Sequence, residues 1–182
     1  MGWKILESTE LFRSGLFQLR SDRCQLPDGR IMPKYYVLSF PDWVNILPAL
    51  PNGDVLLVQQ YRHASGLEHL EVPGGSMDPQ NNESPEIAAR REMLEETGYD
   101  SNNIVKVGSH YPNPALQNNQ MHTYIAFDAF LSQQTQFDEF EDLKPYRCSL
   151  EQLKKHLQNG DINHSIMMAT LATIIPYLES KK

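Results

Sequence analysis

Alternating apolar and polar residues predict that the N-terminal part of the chain forms short β-strands. Within Lys4–Ser39 the clearest stretches of this kind are Leu16–Leu19 and Tyr35–Leu38. The segment Pro27–Arg30 lies between them and has the Pro-Asp-Gly composition of a tight hairpin turn. We therefore expect residues 1–40 to form an antiparallel strand region.

The remainder of the chain, residues 41–182, carries the apolar runs of a domain core. These runs predict four strands and three helices, the strands at Val44–Leu47, Val55–Val58, Ile104–Tyr111 and Thr123–Phe130, and the helices at Ser84–Gly98, Ser149–Gly160 and His164–Tyr177. Strands mixed with helices in this way predict an α/β protein with a sheet covered on both faces.

Composition limits the partners that the chain can bind. Its 182 residues, 40% of them hydrophobic, are enough for a well-packed core. A net charge of −7 argues against a protein that holds nucleic acid by neutralising phosphates. Cys24 and Cys148 follow no metal-ligand spacing, and the sequence has neither an apolar signal region nor a run of roughly 18 apolar residues. We therefore expect a cytoplasmic protein with no nucleic-acid or membrane partner.

The predicted helix after Ser84 has clear start and stop signals. Ser84 is placed to cap the helix, Pro85 is favoured at the first turn, and Gly98 supplies a left-handed stop. Upstream, Glu71–Gly75 reads as a strand that runs into a glycine turn, where the backbone can approach an ion closely. A strand, a glycine loop and a helix in this order suit a metal-phosphate site.

Three carboxylates crowd one face of this helix. At about 100° per residue, Glu92, Glu95 and Glu96 fall within an arc of roughly 100°, and the apolar residues expected on the opposite, core-facing side are Ile87, Met93 and Leu94. Like charges at this spacing destabilise an ordinary helix slightly, whereas Mg²⁺ is bound by carboxylate oxygens. A solvated acidic face is the alternative interpretation, and the capped helix and upstream glycines favour the metal site.

The same segment resembles the Nudix box, written G-x5-E-x7-R-E-U-x-E-E-x-G-U with U apolar. From the first glutamate onward the pattern is matched in order by Glu83, Arg91, Glu92, Met93, Glu95, Glu96, Gly98 and Tyr99. One departure precedes it, since seven residues separate Gly75 from Glu83 where the box has five. Lengthening a surface loop costs little, so we interpret the segment as a Nudix helix with a longer entry loop.

The resemblance implies a fold, a metal site and an assembly. The fold is the Nudix fold, a mixed β-sheet in an α/β/α sandwich, here preceded by the N-terminal strand region. The metal is Mg²⁺, with Mn²⁺ as the alternative, and its implied ligands are the three helix carboxylates and a backbone carbonyl near Gly74. Arg91 is expected to orient Glu95. A homodimer in which residues 1–40 are exchanged between subunits, with residues 41–182 as the Nudix hydrolase domain, is also implied.

Further segments resemble the ADP-ribose and nucleoside diphosphate sugar branch of the family. Val58–His63 is similar to its Q-Y-R segment, which makes Arg62 a candidate for diphosphate binding, with a surface ion pair as the alternative. Pro114 lies sixteen residues beyond Gly98, the position of a proline that marks the branch, and Asn118 belongs to the same amide-rich loop. A plain turn-rich loop is the alternative there. Trp43 is expected either to stack on a nucleobase or to pack in the core.

The catalytic base implied by the resemblance is a glutamate on a loop outside the box. Residues 137–142 are in the corresponding place, where Glu141 matches best and Glu139 is next, with a solvated acidic loop as the alternative. The implied activity is Mg²⁺-dependent hydrolysis of the diphosphate of ADP-ribose or another nucleoside diphosphate sugar, giving a nucleoside monophosphate and a sugar phosphate. Two rivals remain, a Nudix hydrolase of nucleoside triphosphates or dinucleotide polyphosphates, and a non-catalytic sensor of nucleotide sugars.

Overall fold

The computed structural model describes residues 2–78, 80, 83–137 and 142–181 of the chain. Its contacts divide the chain into two compact units. The N-terminal unit consists of Met1–Asp42 and Tyr111–Gln120, and the main unit consists of Trp43–His110 and Met121–Lys182.

The N-terminal unit is built on a three-stranded antiparallel sheet. The strands are β1 (Lys4–Arg13), β2 (Gln18–Gln25) and β3 (Ile31–Ser39), in that order. The predicted turn between β2 and β3 is confirmed, because the Leu26 amide donates to the Arg30 carbonyl oxygen at 2.9 Å. Gly29 has a φ of 90°, a left-handed conformation that favours glycine.

The main unit contains the remaining strands and the three predicted helices. In chain order its described elements are β4 (Trp43–Pro48), β5 (Asp54–Arg62), β6 (Leu67–Glu71), β7 (Gly74–Ser76), α1 (Pro85–Thr97), β8 (Tyr99–Asp100), β9 (Asn103–His110), β10 (Met121–Phe127), β11 (Phe130–Leu131), β12 (Leu143–Ser149), α2 (Leu150–Asn159) and α3 (Ser165–Glu179). One sheet has the order β7-β4-β10-β9, a second β12-β5-β6, and β11 pairs with β8. Because β4 and β10 are parallel and the other pairs antiparallel, the sheet is mixed, as predicted.

Alternation along β4 and β10 places core side chains on both faces of their sheet. One face packs against α1 through Val44, Ile46, Tyr124 and Ala126. The other face belongs to a cluster that includes residues of β5, α2 and α3, namely Leu47, Ile125, Leu57, Leu153 and Leu171. The prediction of a sheet covered on both faces is therefore confirmed. None of the described helices is long and apolar enough to cross a membrane.

The capping residues in the sequence predicted the ends of the helices well. Ser149 accepts a hydrogen bond from the Gln152 amide, and the Gln152 side chain accepts one from the Ser149 amide, which completes the predicted capping box of α2. The third helix continues through Pro176 to Glu179, two residues beyond the predicted end at Tyr177.

Candidate active site

Helix α1 begins and ends where the sequence predicts. The Ser84 hydroxyl oxygen accepts a hydrogen bond from the Ile87 amide at 3.3 Å. At the other end, Gly98 has a φ of 75° and its amide donates to the Leu94 carbonyl oxygen at 2.9 Å. These two residues fix the first and last turns of α1.

Two of the helix carboxylates face the protein interior. Glu92 is 9% exposed and Glu96 only 4%, whereas Ile87 is 60% exposed. The prediction that Ile87 lies in the core is therefore wrong. The helix instead buries the small side chains of Ala88 and Ala89 against the sheet, and a carboxylate three residues after Ala89 lies on the same face. Buried carboxylates are costly without compensation, and both have a partner here, Glu92 in the Arg91 guanidinium and Glu96 in the Gly74 amide.

These carboxylates lie against the two glycines of β7. The Gly74 amide donates a hydrogen bond to Oε2 of Glu96 at 3.0 Å. A Cβ on Gly74 would overlap the backbone carbonyl oxygen of Val44, so close approach requires glycine at that position. A Cβ on Gly75 would lie 2.5 Å from Oε1 of Glu92, so a side chain there would displace the end of the Glu92 side chain.

The predicted glycine turn is wrong in this region. Gly74 and Gly75 pair with Asn45 and Val44 in antiparallel register and form β7, at the edge of the mixed sheet. Their conformation is extended because β4 supplies hydrogen-bond partners, which the sequence of the segment alone does not reveal.

Arg91 connects the glutamates of the Nudix box. Its Nη1 lies 2.9 Å from Oε1 of Glu92 and 3.0 Å from Oε2 of Glu95, while its Nη2 lies 3.1 Å from Oε1 of Glu83. The expected pairing of Arg91 with Glu95 is thus present as an ion pair. The Nη2 group also donates to the Ser76 carbonyl oxygen at 3.3 Å, which ties α1 to β7.

This network shifts the pKa values of its members. Burial would lower the pKa of Arg91, but its hydrogen bond with Glu83 and the charges of Glu92, Glu83 and Glu95 raise it above the usual value. Burial would raise the pKa of Glu83, but hydrogen bonds from Arg91 and from the Asp78 amide lower it. Both shifts favour the ionised forms of Arg91 and Glu83, so this ion pair stays charged through the neutral pH range.

The donor set around β7 fits a hard divalent cation. Glu92 and Glu96 offer carboxylate oxygens from one buried face, and carboxylates are the ligands that Mg²⁺ prefers. In the described ranges, no three Asp, Glu, His or Cys side chains are already arranged to hold a metal ion. Oε2 of Glu95 accepts a hydrogen bond from Nη1 of Arg91 at 3.0 Å.

Arg62 forms a bidentate ion pair with Glu71. At the end of β5 its Nε and Nη2 donate to Oε1 and Oε2 of Glu71 at 2.8 and 2.7 Å. The Glu71 side chain is 2% exposed and that of Arg62 is 44% exposed. An ion pair was the alternative expected for Arg62 from the sequence, but Glu71 was not predicted as its partner. A glutamate directly before Val72 and the glycine segment, at the end of β6, was the available signal.

Trp43, Glu139 and Glu141 were also predicted as site residues. Trp43 is the partly buried first residue of β4 and pairs with Met121 and Ser76. The predicted bases Glu141 and Glu139 lie outside the described residues.

Pro114 and Asn118 belong to the N-terminal unit, where they line a cavity. Its volume is about 380 Å³, and its walls are formed by Arg20, Tyr35, Val37, Tyr111, Pro114, Leu116, Gln117 and Asn118. The Tyr35 hydroxyl donates to the Ala115 carbonyl oxygen at 2.7 Å and the Leu38 amide to that of Leu116 at 2.8 Å, so the loop is attached to β3. The attached loop, together with Arg20 of β2 and Tyr35 of β3, can line a binding pocket.

Comparison with protein families decides the assignment. The model of the NUDIX domain matches residues 41–171, and the model of the nucleoside diphosphate sugar hydrolase N-terminal domain matches residues 3–38. The chain belongs to the Nudix family. This confirms the predicted family and the prediction that the chain is a Nudix pyrophosphatase.

The Nudix protein is also similar to individual proteins of stated activity. It is 26% identical over 180 residues to the ADP-ribose pyrophosphatase of Bacillus subtilis (strain 168), a match that covers 98% of this chain and 94% of that protein. It is 35% identical over 82 residues to the GDP-mannose pyrophosphatase of Yersinia enterocolitica, which covers 42% of this chain and 41% of that protein.

A solved structure confirms the predicted fold. The crystal structure of ADP compounds hydrolase matches with a TM-score of 0.86 over 100% of this chain and 96% of that chain, at 24% identity. This likeness shows a shared Nudix fold.

Proposed function

We propose that this Nudix protein hydrolyses the diphosphate bond of a nucleoside diphosphate sugar, with ADP-ribose as the first candidate, to a nucleoside monophosphate and a sugar phosphate. The observation that carries the proposal is the buried pair Glu92 and Glu96 held against the glycine strand β7. The N-terminal family match and the printed activity of the Bacillus subtilis relative support this substrate class.

The residues that would hold the metal are Glu92, Glu95 and Glu96, with the backbone carbonyl near Gly74. Mg²⁺ is our first choice, with Mn²⁺ as the alternative. A bound divalent cation neutralises charge on the diphosphate and lowers the pKa of a coordinated water. The role of Arg91 is to hold Glu95 and Glu92 in place through its two Nη1 contacts.

Arg62 is the residue that we propose binds the diphosphate. A guanidinium group presents several donors in one plane, which matches phosphate oxygens. In the structure Glu71 accepts hydrogen bonds from two of those donors at the end of β5. For the base that activates water we retain Glu141, with Glu139 as the alternative, on the strength of the family resemblance.

The cavity of the N-terminal unit is our candidate for the nucleoside or sugar moiety. Its volume of about 380 Å³ lies in the usual range of small-molecule sites. Tyr35 and Tyr111 offer aromatic surface, and Asn118 and Gln117 offer amide groups. Pro114 shapes the same wall, and Trp43 remains a further candidate for stacking on the base.

Exposed apolar side chains on the N-terminal sheet support a homodimer. They occur on β1 and next to it, at Ile5, Leu11, Phe12 and Leu16. An apolar patch of this kind on a soluble protein marks an interaction site. We propose that a second copy of the chain covers it, with the N-terminal strands exchanged between subunits.

A substrate panel tests the proposed reaction. The purified protein is incubated with Mg²⁺ and ADP-ribose, GDP-mannose, other nucleotide sugars, nucleoside triphosphates or dinucleotide polyphosphates, and the products are separated by chromatography. We expect a nucleoside monophosphate and a sugar phosphate from at least one nucleotide sugar. Hydrolysis of triphosphates or dinucleotides alone, or binding of a nucleotide sugar without turnover, would overturn the proposal.

A further inference from the structure

His164 lies against the carboxylate that holds Arg62. Its Nδ1 is 3.8 Å from Oε1 of Glu71. The atom is buried and has no hydrogen-bond partner within the described part of the chain. His164 is also the N-cap residue of α3, yet its side chain makes no capping hydrogen bond. The ring is thus directed at Glu71 and falls just short of a hydrogen bond.

Oε1 of Glu71 lies close to both Arg62 and His164. The same oxygen accepts the hydrogen bond of 2.8 Å from Nε of Arg62. If Arg62 turns toward a phosphate group, this buried carboxylate loses a charged donor, which is costly in a protein interior. A movement of less than about 1 Å would bring Nδ1 of His164 to hydrogen-bond distance from the same oxygen.

The backbone of Arg62 is held independently of its side chain. The Ser65 hydroxyl donates to the Arg62 carbonyl oxygen at 3.0 Å and lies 2.7 Å from Nε2 of His69. The other ring nitrogen of His69 lies 3.0 Å from Oδ1 of Asn163, the residue before His164. This chain of contacts ties the β5–β6 turn to the start of α3. Replacing Arg62 by His164 as the hydrogen-bond partner of Glu71 therefore needs only side-chain movement.

We propose that His164 is a positioning residue that takes over Oε1 of Glu71 when Arg62 turns to a bound diphosphate, and thereby sets the affinity of the site for that group. The inference rests on the proposed function, because it takes Arg62 to be the diphosphate ligand.

The charges around His164 make the exchange of Arg62 for His164 at Glu71 depend on pH. The charged or titratable groups that face it in the described residues are Glu71, Arg62 and His69. Burial lowers the pKa of His164, the charge of Glu71 raises it, and Arg62 and His69 lower it. The ring is therefore neutral at pH 7 and gains a proton only as pH falls. Protonation favours the exchanged state, since the cation binds Glu71 and repels Arg62.

Two substitutions of His164 separate donation from packing. His164→Phe keeps a ring and removes the donor, and we expect it to raise KM for the nucleotide sugar about tenfold, with a smaller change in kcat. His164→Asn restores a donor near the position of Nδ1 and should recover most of the affinity. His63→Phe, at a histidine of the β5–β6 turn, controls for loss of an imidazole. A KM for His164→Phe equal to that of the wild type, in a protein folded by circular dichroism, overturns the proposal.

The pH dependence of KM is a further test, because a change in packing alone would not alter it. Relative to His164→Asn, the wild-type KM should fall as pH is lowered through the titration of His164, because the proton promotes release of Arg62. By linkage, bound diphosphate should raise the pKa of His164. Parallel profiles in the two proteins contradict the exchange.

Magnetic resonance tests the exchange without turnover. Inorganic pyrophosphate with Mg²⁺ should shift the Nε–H signal of Arg62, assigned with Arg62→Lys, and raise the pKa of His164. The same titration with His164→Phe should need about tenfold more pyrophosphate. If the substrate panel fails but these shifts appear, the proposed function is wrong and the exchange stands. If the panel succeeds and neither signal responds, the exchange is wrong.

Discussion

The Gly74 amide donates a hydrogen bond to the buried carboxylate of Glu96, and this contact joins the edge strand β7 to helix α1. The next residue of the strand, Gly75, faces Glu92 one helical turn earlier. Two glycines of one strand thus lie against two carboxylates without filling the space beside them. This arrangement explains why the Nudix box begins with glycine and why its glutamates tolerate burial.

The first prediction concerns the missing side chain at Gly75. Gly75→Ala places a methyl group about 2.5 Å from Oε1 of Glu92, so the carboxylate must move. We expect kcat to fall at least about tenfold and the metal concentration needed for half activity to rise. Metal titrations of the activity measure both effects.

Gly15→Ala is the matched control, because a Cβ there meets no atom within 4 Å. It should behave as the wild type. Normal metal dependence in Gly75→Ala would show that the position of Glu92 is unimportant.

The second prediction concerns charge at Glu96. Glu96→Gln keeps the size of the side chain and removes one charge, so turnover should fall by orders of magnitude while the protein remains folded. Glu86→Gln, at the exposed first turn of the same helix, should leave turnover unchanged. Steady-state kinetics and circular dichroism give the two readouts. A wild-type rate in Glu96→Gln, or in wild-type protein treated with EDTA, would be incompatible with the metal mechanism.

These predictions depend on features that were visible in the sequence to different degrees. The ends of α1 were predictable because Ser84, Pro85 and Gly98 act on the backbone within one turn of their own positions. The capping box of α2 was predictable for the same reason. The turn at Pro27–Arg30 also follows from local chemistry, since glycine at position 29 adopts a positive φ.

Contacts between distant segments were not predictable from local patterns. The exposure of Ile87 follows from the close packing of Ala88 and Ala89, which an apolar periodicity does not resolve. The partnership of Arg62 with Glu71 depends on the β5–β6 pairing, and its neighbour His164 comes from a helix far along the chain. Family resemblance supplied the site residues, and the fold supplied their partners.

The third prediction concerns Arg62. If Arg62 binds the diphosphate in both ground and transition states, as we propose, Arg62→Ala should raise KM more than it lowers kcat. The same change leaves Glu71 buried without its bidentate partner and should lower the free energy of unfolding by about 1–3 kcal/mol. Substrate kinetics and urea denaturation measure the two effects.

The double variant Arg62→Ala/Glu71→Gln is the control for stability. It removes the unpaired charge, so stability should recover in part while KM stays high. A KM that recovers together with stability would assign Arg62 a purely structural role.

The fourth prediction concerns the catalytic base. Glu141→Gln should lower kcat strongly and leave KM nearly unchanged, because the residue is proposed to act on water and not on substrate binding. Glu139→Gln is the comparison on the same loop and should have the smaller effect. The reverse order would assign the base to Glu139, and normal kinetics in both variants would place it elsewhere.

The last prediction concerns assembly. If a second copy covers the apolar residues of β1, the intact protein should sediment as a dimer at micromolar concentration. Leu11→Glu places a charge among those half-exposed apolar side chains and should shift the protein toward monomer. Lys4→Glu, at the exposed start of the same strand, is the control for added negative charge. Because the strands that we propose to be exchanged belong to the unit with the candidate nucleoside or sugar cavity, the Leu11→Glu monomer should also bind nucleotide sugars more weakly. A wild-type monomer that is fully active would mean that each pocket is formed by one chain.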